Sequence, residues 1–167
     1  MTDQHVLEVI NDPVSQRLIN SNIPARLAYN GVDGFPRVIP VGFHWDGAQF
    51  LIGSPDNAPK VKALRKRPQV ALTIDTEGMP PNVLLVRGVA SVEVVDGVHE
   101  AFLDASRKRI SPEDWPEWEA GVRGLYRKMA LIAIEPQWAK VLDFETRLPQ
   151  PVEQLIKEAT GQHVRPS

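Results

Sequence analysis

The sequence predicts a mainly β fold with helices, of the α+β class: about six strands in an antiparallel sheet that closes as a small Greek-key barrel, with helices packed outside. Three observations lead there. The first half alternates short β-branched segments with turn-dense links, Asn30-Gly31-Val32-Asp33-Gly34 and Asp46-Gly47, which are too short for a parallel crossover. Helical periodicity is confined to the start of the chain, a basic stretch at 58–67, and the second half. The chain has 167 residues, 43% hydrophobic and 24% charged, which suits one soluble domain over 1–167 with a core at about 13–146.

Along the chain, Asp12-Pro13 divides a loose apolar lead from a helix that starts near Pro13 with Asp12 as its cap. Ile23 to Tyr29 reads as a strand, Arg37 to Trp45 as a second, and Gln49 to Gly53 as a third. A short helix over 58–67 follows, then a fourth strand from Gln69 to Asp75. Val83 to Val95 is a long strand in which Gly88 marks a bulge or a close approach. Residues 98–109 and 112–128 read as helices, the second with a Ser111 cap and Pro112 start. Ala130 to Phe144 returns to strand, interrupted at Glu135-Pro136, and Val152 to Ala159 is a last helix. The tail from Thr160 to Ser167 is polar and expected to be loose.

Composition excludes several functions. A net charge of −2 and a pI of about 6.1 lack the broad positive excess that nucleic-acid binding needs. No apolar run approaches the roughly 20 residues that span a bilayer. The opening MTDQHVLEVINDP lacks a signal-peptide pattern, so a cytoplasmic location is expected. With no cysteine, thiolate chemistry and disulfides are absent. His5, His44, His99 and His163 are scattered without metal-ligand spacing, so no metal site is expected. HExxH, GxSxG, the P-loop and GxGxxG are all missing, and the acids form no defensible catalytic pair. Redox chemistry carried by a cofactor needs none of these.

The strongest local signal is Lys60, Lys62, Arg65, Lys66 and Arg67, five cations in eight residues with no acid. Val61 and Leu64, three apart, give this helix one apolar face. Lys60 and Lys62 fall in its first turn, where acids are normally preferred, so they build a local positive potential that a phosphate relieves. The alternative is a solvated basic face. Pro40, inside the apolar VIPVGF, reads as an edge strand or bulge, or as a strand whose freed backbone faces a flat heterocycle. Trp115 and Trp118 flank Pro116-Glu117 and suit a pocket, a subunit interface or plain surface packing.

The segment order GFPRVIPVGFHWDG, QFLIGS, PKVKALRKRPQVALTID and LLVRGVASVEVVDG resembles the flavin-binding split β-barrel proteins of the pyridoxamine 5′-phosphate oxidase-like superfamily. The resemblance runs from about Ile23 to Asp96, with LIAIEPQWAKVLDFETR as weaker support. Its most specific run extends from Lys60 through Leu64, Arg65 and Pro68 to Val70. It implies an FMN-dependent oxidoreductase acting on a small molecule, working as a homodimer with cofactor sites at the interface. In that picture Arg37, Val38, Ile39, Pro40 and Val41 run beneath the isoalloxazine ring. Gly53 and Ser54 meet the ribityl chain or phosphate. Lys60, with Pro59 beside it, holds the phosphate, assisted by Lys62. Trp138, or the Trp115–Trp118 segment, is the candidate contribution from a second subunit. Arg87 and His44 are the candidate proton donors. The pattern departs from pyridoxamine 5′-phosphate oxidase itself, where a Ser-Arg-Lys run stands in place of Ala58-Pro59-Lys60 and the tail is arginine-rich, which argues against vitamin B6 oxidation. The alternatives are a reductase using the 8-hydroxy-5-deazaflavin coenzyme, whose longer anionic tail suits Arg65, Lys66 and Arg67, and a flavin or haem carrier without turnover.

Overall fold

A computed structural model describes residues 2–161; the expectation for the tail beyond Gly161 lies outside the described residues. The elements in chain order are α1 (Gln4–Ile10), α2 (Pro13–Ile19), β1 (Ala25–Asn30), β2 (Pro36–Val41), β3 (His44–Trp45), β4 (Phe50–Ser54), α3 (Pro59–Lys66), β5 (Gln69–Asp75), β6 (Val83–Asp96), α4 (Glu100–Arg107), α5 (Trp115–Leu125), β7 (Lys128–Leu142) and α6 (Gln150–Ala159). The strands form one sheet in the order β2-β1-β5-β6-β7-β4-β3, with every paired neighbour antiparallel.

The α+β class and the antiparallel pairing are as expected, but the strand count and the closure differ. Seven strands form because the segment read as one strand from Arg37 to Trp45 breaks at Gly42-Phe43. Phe43 is buried and packs its ring against Phe50, centroids 5.8 Å apart, so the chain turns there to keep that ring inside. The two ends of the sheet, β2 and β3, are joined by these two residues alone. Three residue steps reach at most about 11 Å, whereas seven flat strands would measure roughly 29 Å across. The sheet is therefore curled until its edges meet at that corner. Among the described residues no ladder joins β2 to β3, so the curled sheet is not a hydrogen-bonded closed barrel.

The inner face follows the period of two that strands impose. Leu27, Leu72, Ile74, Leu84, Val86, Phe50 and Ile52 all face inward and are buried. Asp12 caps α2 as expected, its Oδ1 accepting from the Val14 N–H at 2.8 Å. The apolar lead is itself helical, and α1 adds Val6 and Ile10 to the core. Helix α3 packs Val61, Ala63 and Leu64 against the sheet at β1 and β6, and α4 covers β3 and β4. Helix α5 starts at Trp115, not Pro112. Ser111 Oγ accepts from the Asp114 N–H at 3.1 Å and donates to Asp114 Oδ2 at 2.7 Å, so the hydroxyl closes a separate turn instead of capping the helix.

Gly88 sits at a bulge. Arg87 opposes Trp138 and Gly88 opposes Pro136, which leaves Gln137 as the extra residue on β7. A Cβ on Gly88 would collide with the Glu135 carbonyl oxygen. The bulge also absorbs Pro136, so β7 runs unbroken where an interruption was expected at Glu135-Pro136.

Candidate functional site

The candidate residues lie in two regions, the start of α3 and the outer face of the sheet. Strand β4 ends at Ser54, and a tight turn follows in which the Ala58 N–H donates to the Pro55 carbonyl at 3.1 Å. Pro59 then opens α3, its fixed φ suiting a first helical position. The helix has no side-chain N-cap and no acid in its first turn. Lys60 is half-buried there, and burial pushes its amine below the usual lysine range. It makes no ion pair and no side-chain hydrogen bond among the described residues. Lys62, Arg65 and Lys66 are exposed and equally without acid partners, whereas Arg67 donates to the Gly31 carbonyl at 2.6 Å and is structural.

Ser54 is 1% exposed, and its hydroxyl has one partner, the neighbouring Pro55 carbonyl at 3.3 Å. That is long for an O–H···O bond, so the buried hydroxyl is poorly satisfied by the protein. Gly53 behaves differently. A Cβ there would meet the Phe102 ring at 2.6 Å and the Met129 sulfur at 2.8 Å, so side chains of α4 and β7 already fill that face.

On the outer face of the sheet, the register lines up Val38 with Ala28, Ala28 with Ala71, Ala71 with Arg87, and Arg87 with Trp138. Directly opposed residues share a face. This row therefore crosses β2, β1, β5, β6 and β7 as two alanines flanked by Val38 on one side and by Arg87 and Trp138 on the other. The Arg87 guanidinium lies 4.0 Å from the Trp138 ring centroid, a cation–π contact that holds the indole down. Val38 is 65% exposed. This strip, with small apolar residues at its centre, an indole at one end and one cation, is termed the trough.

Of the residues singled out in the sequence, Val38, Arg87 and Trp138 lie on this row, Val38 at one end and Trp138 at the other, and Pro40 lies beside it, opposite Arg26. Pro40 is in an edge strand, where its missing N–H costs little. Ile39 and Val41 point to the core side. Arg37 is held by Asp33, guanidinium to carboxylate 2.7 Å, and so is partly neutralised. Of the candidate proton donors, Arg87 is in the trough. His44 lies on β3, its Nδ1 4.0 Å from Asp104, on the strand farthest along the sheet order from β2. Trp115 and Trp118 build a stack of their own on Phe102, with Trp118 5.9 Å and Tyr126 6.1 Å from its ring centroid, and Trp115 Nε1 donates to Glu119. Ala28 and Ala71, the floor of the trough, carry no sequence signal; only register places them.

These features define a class of protein: a curled antiparallel barrel-like sheet with a cation-bearing trough outside it and a lysine-headed helix after its fourth strand. No protein-family model and no curated protein matches the sequence. Solved structures share its fold. An F420 reductase matches with a TM-score of 0.57 at 20% identity, over 75% of this chain and 94% of its own. A Clostridium acetobutylicum protein of the pyridoxinephosphate oxidase family, related to general stress protein 26, matches at 0.55 and 15% identity, over 84% and 90%. A haem-storage protein from Vibrio cholerae matches at 0.56 and 20% identity, over 78% and 93%. The chain thus shares with these proteins the fold that the sequence resemblance implied.

Proposed function

We propose that this protein is an FMN-dependent oxidoreductase acting on a small molecule, in the cytoplasm, as a homodimer that buries the outer face of the sheet and holds a cofactor there. The observation that carries the reading is Lys60: a half-buried ammonium at an acid-free helix start, six residues beyond a buried serine hydroxyl that the protein leaves poorly satisfied. A phosphate group answers both needs, accepting from the hydroxyl and neutralising the amine. Pro59 contributes by shape, and Lys62 adds a second cation at the rim; Gly53, whose open face is taken by Phe102 and Met129, serves packing instead. The trough across Val38, Ala28 and Ala71 suits a flat heterocycle, with Trp138 as its wall and Val38 and Pro40 of β2 beneath the ring.

When bound, a flavin supplies the hydride and electron transfer. The chain's residues bind, orient and polarise. Arg87 is the one cation on the trough row, placed to favour negative charge on whatever lies there. Its position on Trp138 also limits its motion. No acid with general-acid geometry shares the row.

A second reading has its own observation. Lys62, Arg65 and Lys66 are exposed and, among the described residues, unpaired along α3, which suits the longer anionic tail of an 8-hydroxy-5-deazaflavin coenzyme, and an F420 reductase is among the structures that share the fold. A haem carrier without turnover is the third, supported by the haem-storage protein of the same fold.

The deciding experiment is an absorption spectrum of the purified protein with mass spectrometry of what denaturation releases, followed by titration of the apoprotein with FMN, the deazaflavin coenzyme and haem. Tight FMN binding, and reduction of bound FMN by NADPH under steady-state turnover, is the expected result. Preferential deazaflavin or haem binding replaces the reading with the second or third, and a protein that binds none of the three defeats it.

A further inference from the structure

A second concave site lies against the 55–57 loop that precedes α3. It is a groove of about 580 Å³ walled by Pro55, Asp56 and Asn57 on one side and by Leu125, Tyr126, Arg127 and Lys128 on the other. Its size is that of a small-molecule pocket. The walls are held side by side by the β4–β7 ladder, in which Ser54 opposes Ala130. The floor is held by Tyr126, which packs edge-on against Phe102, and by the Arg127 carbonyl, which accepts from the Gly97 N–H at 2.8 Å.

Charge and polarity are unevenly arranged within it. Arg127 and Lys128 are adjacent cations, and among the described residues neither side chain has an ion pair or a hydrogen bond. Asp56 also lines the groove, and among the described residues it makes no ion pair with either cation within 4.0 Å, so the groove separates its charges instead of pairing them. Beside the cations, Leu125 is 71% exposed and Tyr126 half-exposed, an apolar and aromatic surface with nothing packed over it. Solvated surface cations do not require a concave wall, and a leucine facing water gains nothing by exposure. A ligand that is anionic at one end and apolar along its body satisfies both.

We propose that this groove binds a small molecule carrying a phosphate or carboxylate on an aromatic or branched apolar body. Its anion meets Arg127 and Lys128, and its body lies on Tyr126 and Leu125. Asp56 sets the direction by repelling the anion from the loop side. The groove shares the 55–57 loop with the Lys60 region but brings its own cations, and it does not rest on the flavin reading.

Calorimetric titration of the full chain with phenyl phosphate, benzoate and inorganic phosphate tests it. Phenyl phosphate or benzoate is expected to bind, and inorganic phosphate at least about ten-fold more weakly, because it lacks the apolar body. Arg127→Gln/Lys128→Gln is expected to weaken phenyl phosphate binding by about ten-fold or more, while Asp56→Asn tightens it; Lys128→Gln alone serves if the double variant does not fold. FMN affinity is expected to stay unchanged in all of them, whereas Lys60→Gln should leave phenyl phosphate binding unaltered. The proposal is overturned if neither aryl probe binds, if inorganic phosphate binds equally well, or if the 127/128 variants bind phenyl phosphate like the wild type.

Discussion

Two adjacent rows cross the same five strands and have opposite fates. The inner row is Ile39, Leu27, Leu72, Val86 and Ala139; the outer row, one residue along each strand, is Val38, Ala28, Ala71, Arg87 and Trp138. Leu27, Leu72 and Val86 are fully buried, whereas the outer row keeps its centre small and its ends large and partly exposed. The backbone is shared, so the difference lies in the side chains. The inner row is chosen for volume and the outer row for a shape that leaves room. A sheet stabilised from one face alone can hold open a flat surface on the other without losing its fold.

That contrast predicts unequal responses to substitution. The largest effect belongs to the inner row: Leu72→Ala should lower stability by about 2–5 kcal/mol in denaturant unfolding, the cost of an unfilled core site. A loss below about 1 kcal/mol would mean that the inner face is not the packed one.

Lys60→Ala comes next and should act on binding alone. FMN affinity is expected to fall by about 1.5–3 kcal/mol, the scale of one charge-assisted hydrogen bond, with the unfolding midpoint unmoved. Because burial already lowers the Lys60 pKa, wild-type affinity should begin to decline with rising pH earlier than an ordinary lysine would allow. Lys60→Arg should remove that decline, since guanidinium stays charged.

Ala71→Leu is the direct counterpart of Leu72→Ala. It fills the trough from the outer face, so FMN affinity should drop by about 1–2 kcal/mol while stability stays within about 0.5 kcal/mol. Retained affinity in that variant would remove the trough from the cofactor site and leave Lys60 standing alone.

The last effect concerns the corner where the sheet edges meet. Lys108 donates to the Ile19 carbonyl at 3.0 Å and lies 3.9 Å from the Phe43 ring centroid, and burial lowers its pKa to about 8. The folded protein then releases this proton near pH 8, while the unfolded chain keeps it until about pH 10.4. Between those values the unfolded state binds more protons, so the Lys108 contribution makes stability rise with pH. Lys108→Met should flatten that rise. An identical pH profile in the variant would show that the amine is solvated.

Local chemistry was legible wherever one segment decides its own conformation. Asp12-Pro13 starts a helix because cap and φ are set within three residues. Asp46-Gly47 reverses the chain, Gly88 marks the bulge, and Pro40 belongs to an edge, each through backbone geometry that the residue type carries with it. The acid-free start of α3 was equally visible, because the five cations fall within eight residues of one segment. The helix start at 112 was misread because Ser111 and Asp114 satisfy one another in a turn, a competition between two local motifs that residue type alone does not rank.

By itself, then, the sequence determined the α+β class, the order of the elements from β4 onward, the basic helix start and the resemblance to a flavin-binding barrel. Tertiary structure decided the split at Gly42-Phe43, the curl without a closing ladder, the trough and the groove. The trough depends on Ala28, Ala71 and Arg87 falling opposite one another, and the groove on residues 55–57 meeting 125–128 across a ladder. Register and curl are properties of pairs of distant strands, and no single segment carries them.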